Sequence, residues 1–258
     1  MTAGEPIALL ASDAPSTRMI YHRLKQEFGS VHLILETRMS RFDLFRRRLR
    51  RLGPVTAIGQ ALFVAAVMPL LQRRALRRIA AIKREFNLDD RPLECAAIRV
   101  PSVNSSEARR ALANLSPAVV VVSGTRIIAR ETLSAVDVPF INMHTGITPQ
   151  YRGVHGAYWA LVEGAATLVG TTIHVVDAGV DTGPVIAQTT FNVSSKDSIA
   201  TYGYLHVAEG LPALVEAVRH AQRGTLQPRA PISAAPSRVW SHPTIWAYLA
   251  GRVMKGVR

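Results

Sequence analysis

Cysteine is nearly absent: Cys95 is the only one in 258 residues. That excludes an internal disulfide and any cysteine-based zinc finger, and it points to a reducing compartment. The opening MTAGEPIALLAS lacks a basic stretch followed by a long apolar run, so no secretory signal is read and a cytoplasmic location is expected. Acid is also scarce. Eighteen Asp and Glu face 31 Lys and Arg, for a net charge of +13. What is present is a globular composition, 48% hydrophobic and 19% charged, which excludes wholesale disorder. A chain of this length buries a sizeable core without staples.

The positive charge is concentrated. Between Arg38 and Arg84 stand thirteen Lys and Arg and one acid, Asp43, while the rest of the chain is close to neutral. Within that segment the 21 residues from Leu52 to Gln72 carry no charge, long enough for a membrane span by length. Gly53, Pro54, Gly59, Gln60 and Pro69 argue instead for a hairpin or for helices lying in a lipid interface. A solvated amphipathic pair packed on the domain, or on a second copy as a homodimer surface, is the plainer reading. Phe42, Phe45 and Phe63 are the only aromatics in the segment, too few to favour stacking on nucleic acid.

Short apolar runs at 6–11, 31–35, 97–100, 118–124, 139–143, 170–176 and 184–191 read as strands. AVVVVSG, at 118–124, has the continuous β-branched character of a strand buried on both faces. Helical patterns separate several of them: one at 105–115 opens on an N-cap serine. Another at 197–224 is expected to be capped by Asp197, ended by Gly224 and kinked or interrupted at Pro212. The alternation predicts an α/β sheet. Residues 1–224 are taken as one catalytic domain with 38–84 as a helical insertion. Residues 225–258, opening with Pro228, Pro231 and Pro236, are taken as a linker and a short basic-aromatic tail.

Chemistry concentrates between Ile141 and Ile186. Asn142 and His144 are two apart on a strand, so both side chains share one face. An amide donor beside an imidazole makes a workable oxyanion site, and the imidazole serves as acid or base near neutral pH. Asp177 and Asp181 lie on a glycine-rich loop that presents a carboxylate to a histidine. That loop also reads as a plain tight turn. His144, His174 and Asp181 are legal zinc ligands, although no closely spaced helical His pair supports that use and a neighbouring Asn is a poor ligand.

In this order VVVVSGTRII, INMH, ITPQYRG, GTTIH and Asp181-Thr-Gly together resemble the folate-dependent formyltransferase family, which includes amino-sugar N-formyltransferases and the catalytic domain of methionyl-tRNA formyltransferase. The resemblance is strong over 97–224 and weak over 6–36. It implies a Rossmann-like, mostly parallel sheet, 10-formyltetrahydrofolate as co-substrate, no metal, and transfer of the formyl group to a small-molecule primary amine without a covalent enzyme intermediate. It also implies that Asn142 and a protonated His144 stabilise the oxyanion, with Asp181 raising the His144 pKa. The folate pocket would use Gly124, Arg126, Ile127, Ile128, Asp177 and Gly179. The acceptor side would use Tyr151, Arg152, Gly153, Trp159 and His174.

Departures within the family bear on the acceptor. The loop Ala11–Ser16 has no glycine and carries Asp13, a poor nest for the phosphate of glycinamide ribonucleotide. The 34 residues from Thr225 are too few for the tRNA-binding domain of methionyl-tRNA formyltransferases. Arg152-Gly153 followed by Trp159 resembles the amino-sugar formyltransferases, which implies a nucleotide-linked amino sugar as the acceptor, for surface polysaccharide synthesis. With the basic segment, that suggests docking at the inner face of an anionic membrane. A formyltransferase acting on glycinamide ribonucleotide or another amine, a formyltetrahydrofolate hydrolase, and a membrane-surface or nucleic-acid-binding protein with a vestigial site are the competing readings.

Overall fold

The computed structural model describes residues 5–93 and 95–258; Met1–Gly4, part of the start read for a secretory pattern, lie outside them. All seven expected runs are strands of one sheet: β1 Ile7–Ala11, β2 Val31–Glu36, β3 Ile98–Val100, β4 Val119–Ser123, β5 Phe140–His144, β7 Gly170–Val175 and β8 Val185–Thr190. Their order is β3-β2-β1-β4-β5-β7-β8. The first five run parallel, and β7 and β8 turn antiparallel. Two further strands, β6 Arg152–Gly153 and β9 Val239–Trp240, pair with each other beside this sheet.

Alternation explains how the sheet is covered. Ile7, Leu9, Val119, Val121 and Ile141 face one core, and Ala8, Leu10, Val120, Val122 and Phe140 face the other. The first face is packed by α1 Pro15–Phe28 and by the long helix Ile199–Gln222; the second is packed by α4 Ser106–Leu115. Ser105 caps α4 as its sequence position predicts, its side chain accepting from Ala108 N–H at 3.2 Å.

The basic segment is helical: α2 Arg41–Leu52, then α3 Pro54–Glu85, unbroken except for a wider-wound stretch at Phe63–Val67. The far end of α3 buries Ala75, Ile79 and Ile82, and its Arg78 donates to Asp197 at 2.8 Å. Asp197 therefore does not cap the next helix, contrary to expectation. Ser198 and Thr201 form a capping box there instead.

That helix, reached past the short α5 Arg130–Leu133 and α6 Gly156–Val162, is α7 Ile199–Gln222. Pro212 does not interrupt it. Pro212 stands on the exposed side, while Leu211, Leu214, Val215 and Val218 stay buried; their packing outweighs one lost backbone hydrogen bond. Of 225–258, read as linker and tail, 225–238 is irregular and mostly exposed, while the remainder packs on the domain. β9 joins β6, Trp240 is buried, and α8 Ile245–Lys255 packs Tyr248 against Phe63 of α3, ring centroids 5.3 Å apart.

His206 is buried, and His155 and His242 are half-buried. His206 meets Thr171 Oγ1 at 3.0 Å, and His155 meets His242 at 3.0 Å. Burial depresses His155 and His206 to about 3 and His242 to about 4, from 6.5 in the free side chain. The unfolded chain then binds more protons than the fold below about pH 6.5, so stability must fall as pH falls through that value. Urea midpoints at pH 7.5 and 5.5 are expected to show a loss of up to about 1.4 kcal/mol per pH unit for each such histidine. A midpoint unchanged or higher at pH 5.5 contradicts this. Asp197→Ala leaves the partly buried Arg78 with only Glu85 at 3.8 Å and is expected to cost about 2 kcal/mol in the same assay.

Candidate active site

The carboxyl ends of the parallel strands are where an open α/β sheet leaves a crevice. A cavity of about 520 Å³ lies there, lined by Ser123–Ile128, Asn142–Thr145, Gly153, His174, Asp177, Gly179 and Asp181 among others. A larger one of about 630 Å³ sits between α1, the 86–92 segment and α7. It includes none of Asn142, His144 or Asp181, so the chemistry is assigned to the first.

Two neighbouring strands bring the side chains together. Asn142 and His144 project from the same side of β5, and the antiparallel register sets His174 of β7 directly across from Asn142. Asn142 Nδ2 is 3.1 Å from His174 Nε2 and donates to it, which leaves the second amide proton free. The loop after β7 then returns Asp181 to this pair. Its Oδ2 is 3.3 Å from His144 Nδ1, and its Oδ1 is 3.6 Å from His174 Nε2. Asp181 has φ +50, a left-handed conformation that Asp tolerates better than most residues.

Backbone groups complete the constellation. Gly153 N–H donates to Asp181 Oδ2 at 2.9 Å, and His144 Nε2 donates to the Tyr151 carbonyl at 2.7 Å. Gly153 has φ +92, and a Cβ there would strike the Trp240 carbonyl across the β6–β9 pair. A Cβ on Gly146 would crowd the Tyr151 carbonyl and lie 2.9 Å from His144 Nε2. These two glycines are what let the 146–153 turn fold against the imidazole.

The electrostatics differ from the expectation in one respect. Burial pushes Asp181 up, but His174, the His144 charge and the Gly153 N–H together hold it below its ordinary value. For His144, burial is the largest influence and lowers the pKa, with Asp181 and the Tyr151 carbonyl opposing it. Asp181 thus acts on His144 in the expected direction, against a larger opposing effect of burial. Both ring nitrogens are engaged, Nε2 by the Tyr151 carbonyl and Nδ1 by Asp181 Oδ2.

The residues expected around the folate all line the cavity: Gly124, Arg126, Ile127, Ile128, Asp177 and Gly179. Arg126 is tied to Glu36 at 2.8 Å, and Asp177 accepts from Gly179 N–H and the Thr182 hydroxyl, so both also hold their loops. Of the residues expected on the acceptor side, Gly153 and His174 reach the cavity. Tyr151 and Trp159 do not line it. The Tyr151 ring stacks on Trp240, its hydroxyl donating to Glu163, and Trp159 stacks on the same Trp240 at 4.6 Å. Arg152 lines a second cavity of about 410 Å³ that shares Asp181 and includes Arg229. Arg229 is a residue that sequence reasoning missed, as are the roles of the Tyr151 carbonyl and the Gly153 N–H.

A methionyl-tRNA formyltransferase from Thermodesulfovibrio yellowstonii is 30% identical over 120 residues, 46% of this chain and 38% of that protein. The chain thus matches less than half the length of that relative. The solved structure of a sugar N-formyltransferase from Shewanella sp. superposes with TM-score 0.55 at 13% identity, over 91% of this chain and 76% of that one. Glycinamide ribonucleotide transformylase 1 from Symbiobacterium toebii superposes with TM-score 0.55 at 20% identity, over 93% and 96%. At such identities the superpositions speak to the fold. The family model described as formyl transferase matches residues 74–218, more than half the chain, and the protein belongs to that family.

Proposed function

We propose that the protein transfers a formyl group from 10-formyltetrahydrofolate to a primary amine. The observation that carries this reading is the Asp181 carboxylate set between His144 and His174, with Asn142 bonded to His174, on the floor of a cavity at the sheet's carboxyl edge. The cavity fits the donor: about 520 Å³ is within the range of cofactor sites, and Val122, Ile127, Val176 and Val207 supply apolar walls beside the backbone of 123–128. The donor, when bound, supplies an electrophilic formyl carbon. Everything else falls to the chain's own groups.

The free amide proton of Asn142 points its charge at the formyl oxygen as negative charge develops there. Asp181, held in place by His144 Nδ1 against its Oδ2, takes the proton of the attacking amine through water as the new C–N bond forms. The proton then passes to the folate nitrogen as its bond to the formyl carbon breaks. The cavity holding Arg152 and Arg229 opens on the other side of Asp181 and is the place for the amine. Two guanidinium groups there suit an acceptor that carries an anionic group, as a nucleotide-linked amino sugar does. We place the enzyme in the cytoplasm on the same reading.

Tetrahydrofolate release in the presence of 10-formyltetrahydrofolate and candidate amines tests the assignment. Release is expected to require an amine; equal release without one would make the protein a hydrolase. Asn142→Ala is expected to lower turnover by about 10²–10³-fold with folate binding retained. Near-normal turnover in Asp181→Ala would remove the mechanism.

A further inference from the structure

Apolar side chains are exposed on one part of this molecule far more than elsewhere. Of eighteen exposed large apolar side chains among the described residues, thirteen stand on α2, α3 and α8. The three helices are neighbours: Trp246 of α8 lies over Gly59 of α3, Phe63 of α3 meets Tyr248 of α8, and α2 turns into α3 through Gly53. Phe42 and Val55 are exposed by about two-thirds, and Val253 and Met254 by more than three-quarters. Only 22% of the most apolar window of α3 is buried. A soluble surface does not ordinarily leave an apolar face of this extent open to water.

The charges around it have one sign. Arg47, Arg50, Arg51, Arg73, Arg74 and Arg77 have no ion-pair partner among the described residues. Asp43 is the one acid between Arg38 and Arg84, and it is held by Ser40 at the start of α2. On α8, Arg252 and Lys255 flank Val253 and Met254.

We propose that α2, α3 and α8 form a docking face for an anionic lipid bilayer, with α3 lying along its surface. Apolar side chains enter the acyl boundary, and the arginines meet lipid phosphates at the headgroup level. The helix lies flat and does not cross, although it is long and apolar enough. Ala57 and Phe63 are fully buried in the domain, and Gln60 donates to Ser241 Oγ at 2.9 Å and to the His242 carbonyl at 2.8 Å. Crossing would strip those contacts away. A second copy is a poor occupant, because two-fold pairing sets these arginine-rich helices against themselves. The proposal is independent of the reaction, but it has a consequence for it. Ser241 and His242, held by α3, follow the strand that pairs with Gly153, so the docked face adjoins the turn that positions Asp181.

Co-sedimentation of the full chain with vesicles tests this, using phosphatidylcholine alone and an equal mixture with phosphatidylglycerol. Binding is expected on the anionic vesicles, at least about tenfold tighter than on the neutral ones. Reversing Arg47, Arg50 and Arg51 to Glu is expected to weaken it about a hundredfold with an unchanged melting curve. Val253→Ser with Met254→Ser is expected to weaken it further without changing turnover on soluble amines. No binding to anionic vesicles overturns the proposal. So does equal binding by the charge-reversed chain. Self-association lost in the Val253/Met254 variant, without vesicle binding, overturns it in favour of a second copy.

Discussion

The site hangs on one carboxylate. Asp181 reaches two histidines at once only because its loop returns from β7 and because Gly153 N–H fixes Oδ2 at 2.9 Å. Remove that hydrogen bond and the carboxylate is free to turn to solvent, and neither imidazole keeps its partner. The constraint passes outward. Gly153 is held at φ +92 by the β6–β9 pair, and β9 is seated by Trp240, which stacks between Tyr151 and Trp159. A segment distant in sequence thereby sets the position of the carboxylate.

Burial gives the same group its chemical meaning. An exposed His144 beside a carboxylate would be charged at neutral pH. Enclosed as it is, burial pushes it the other way, against the pull of Asp181 at 3.3 Å and of the Tyr151 carbonyl.

Much of this was legible in the sequence, for identifiable reasons. Strand runs such as Val119–Ser123 are read correctly because β-branched continuity has one common meaning in a sheet covered on both faces. Asn142 and His144 are read because period two puts them on one side. Backbone donors and acceptors leave no such mark: nothing in the letters Tyr151 and Gly153 shows that a carbonyl and an N–H do the holding. Trp159 is expected on the substrate and packs on Trp240, and 239–258, read as part of a linker and tail, packs on the domain. Both depend on contacts between distant segments. Pro212 shows a local preference overridden by the burial of its neighbours.

The account stands or falls on where the formyl carbon goes. Carbon-13 NMR of a reaction containing donor labelled at the formyl carbon, the enzyme and an amino-sugar nucleotide follows it directly. The account predicts that the label leaves the folate nitrogen and appears as a formamide on the acceptor. Label that stays on the folate, or that appears only as formate, would contradict it.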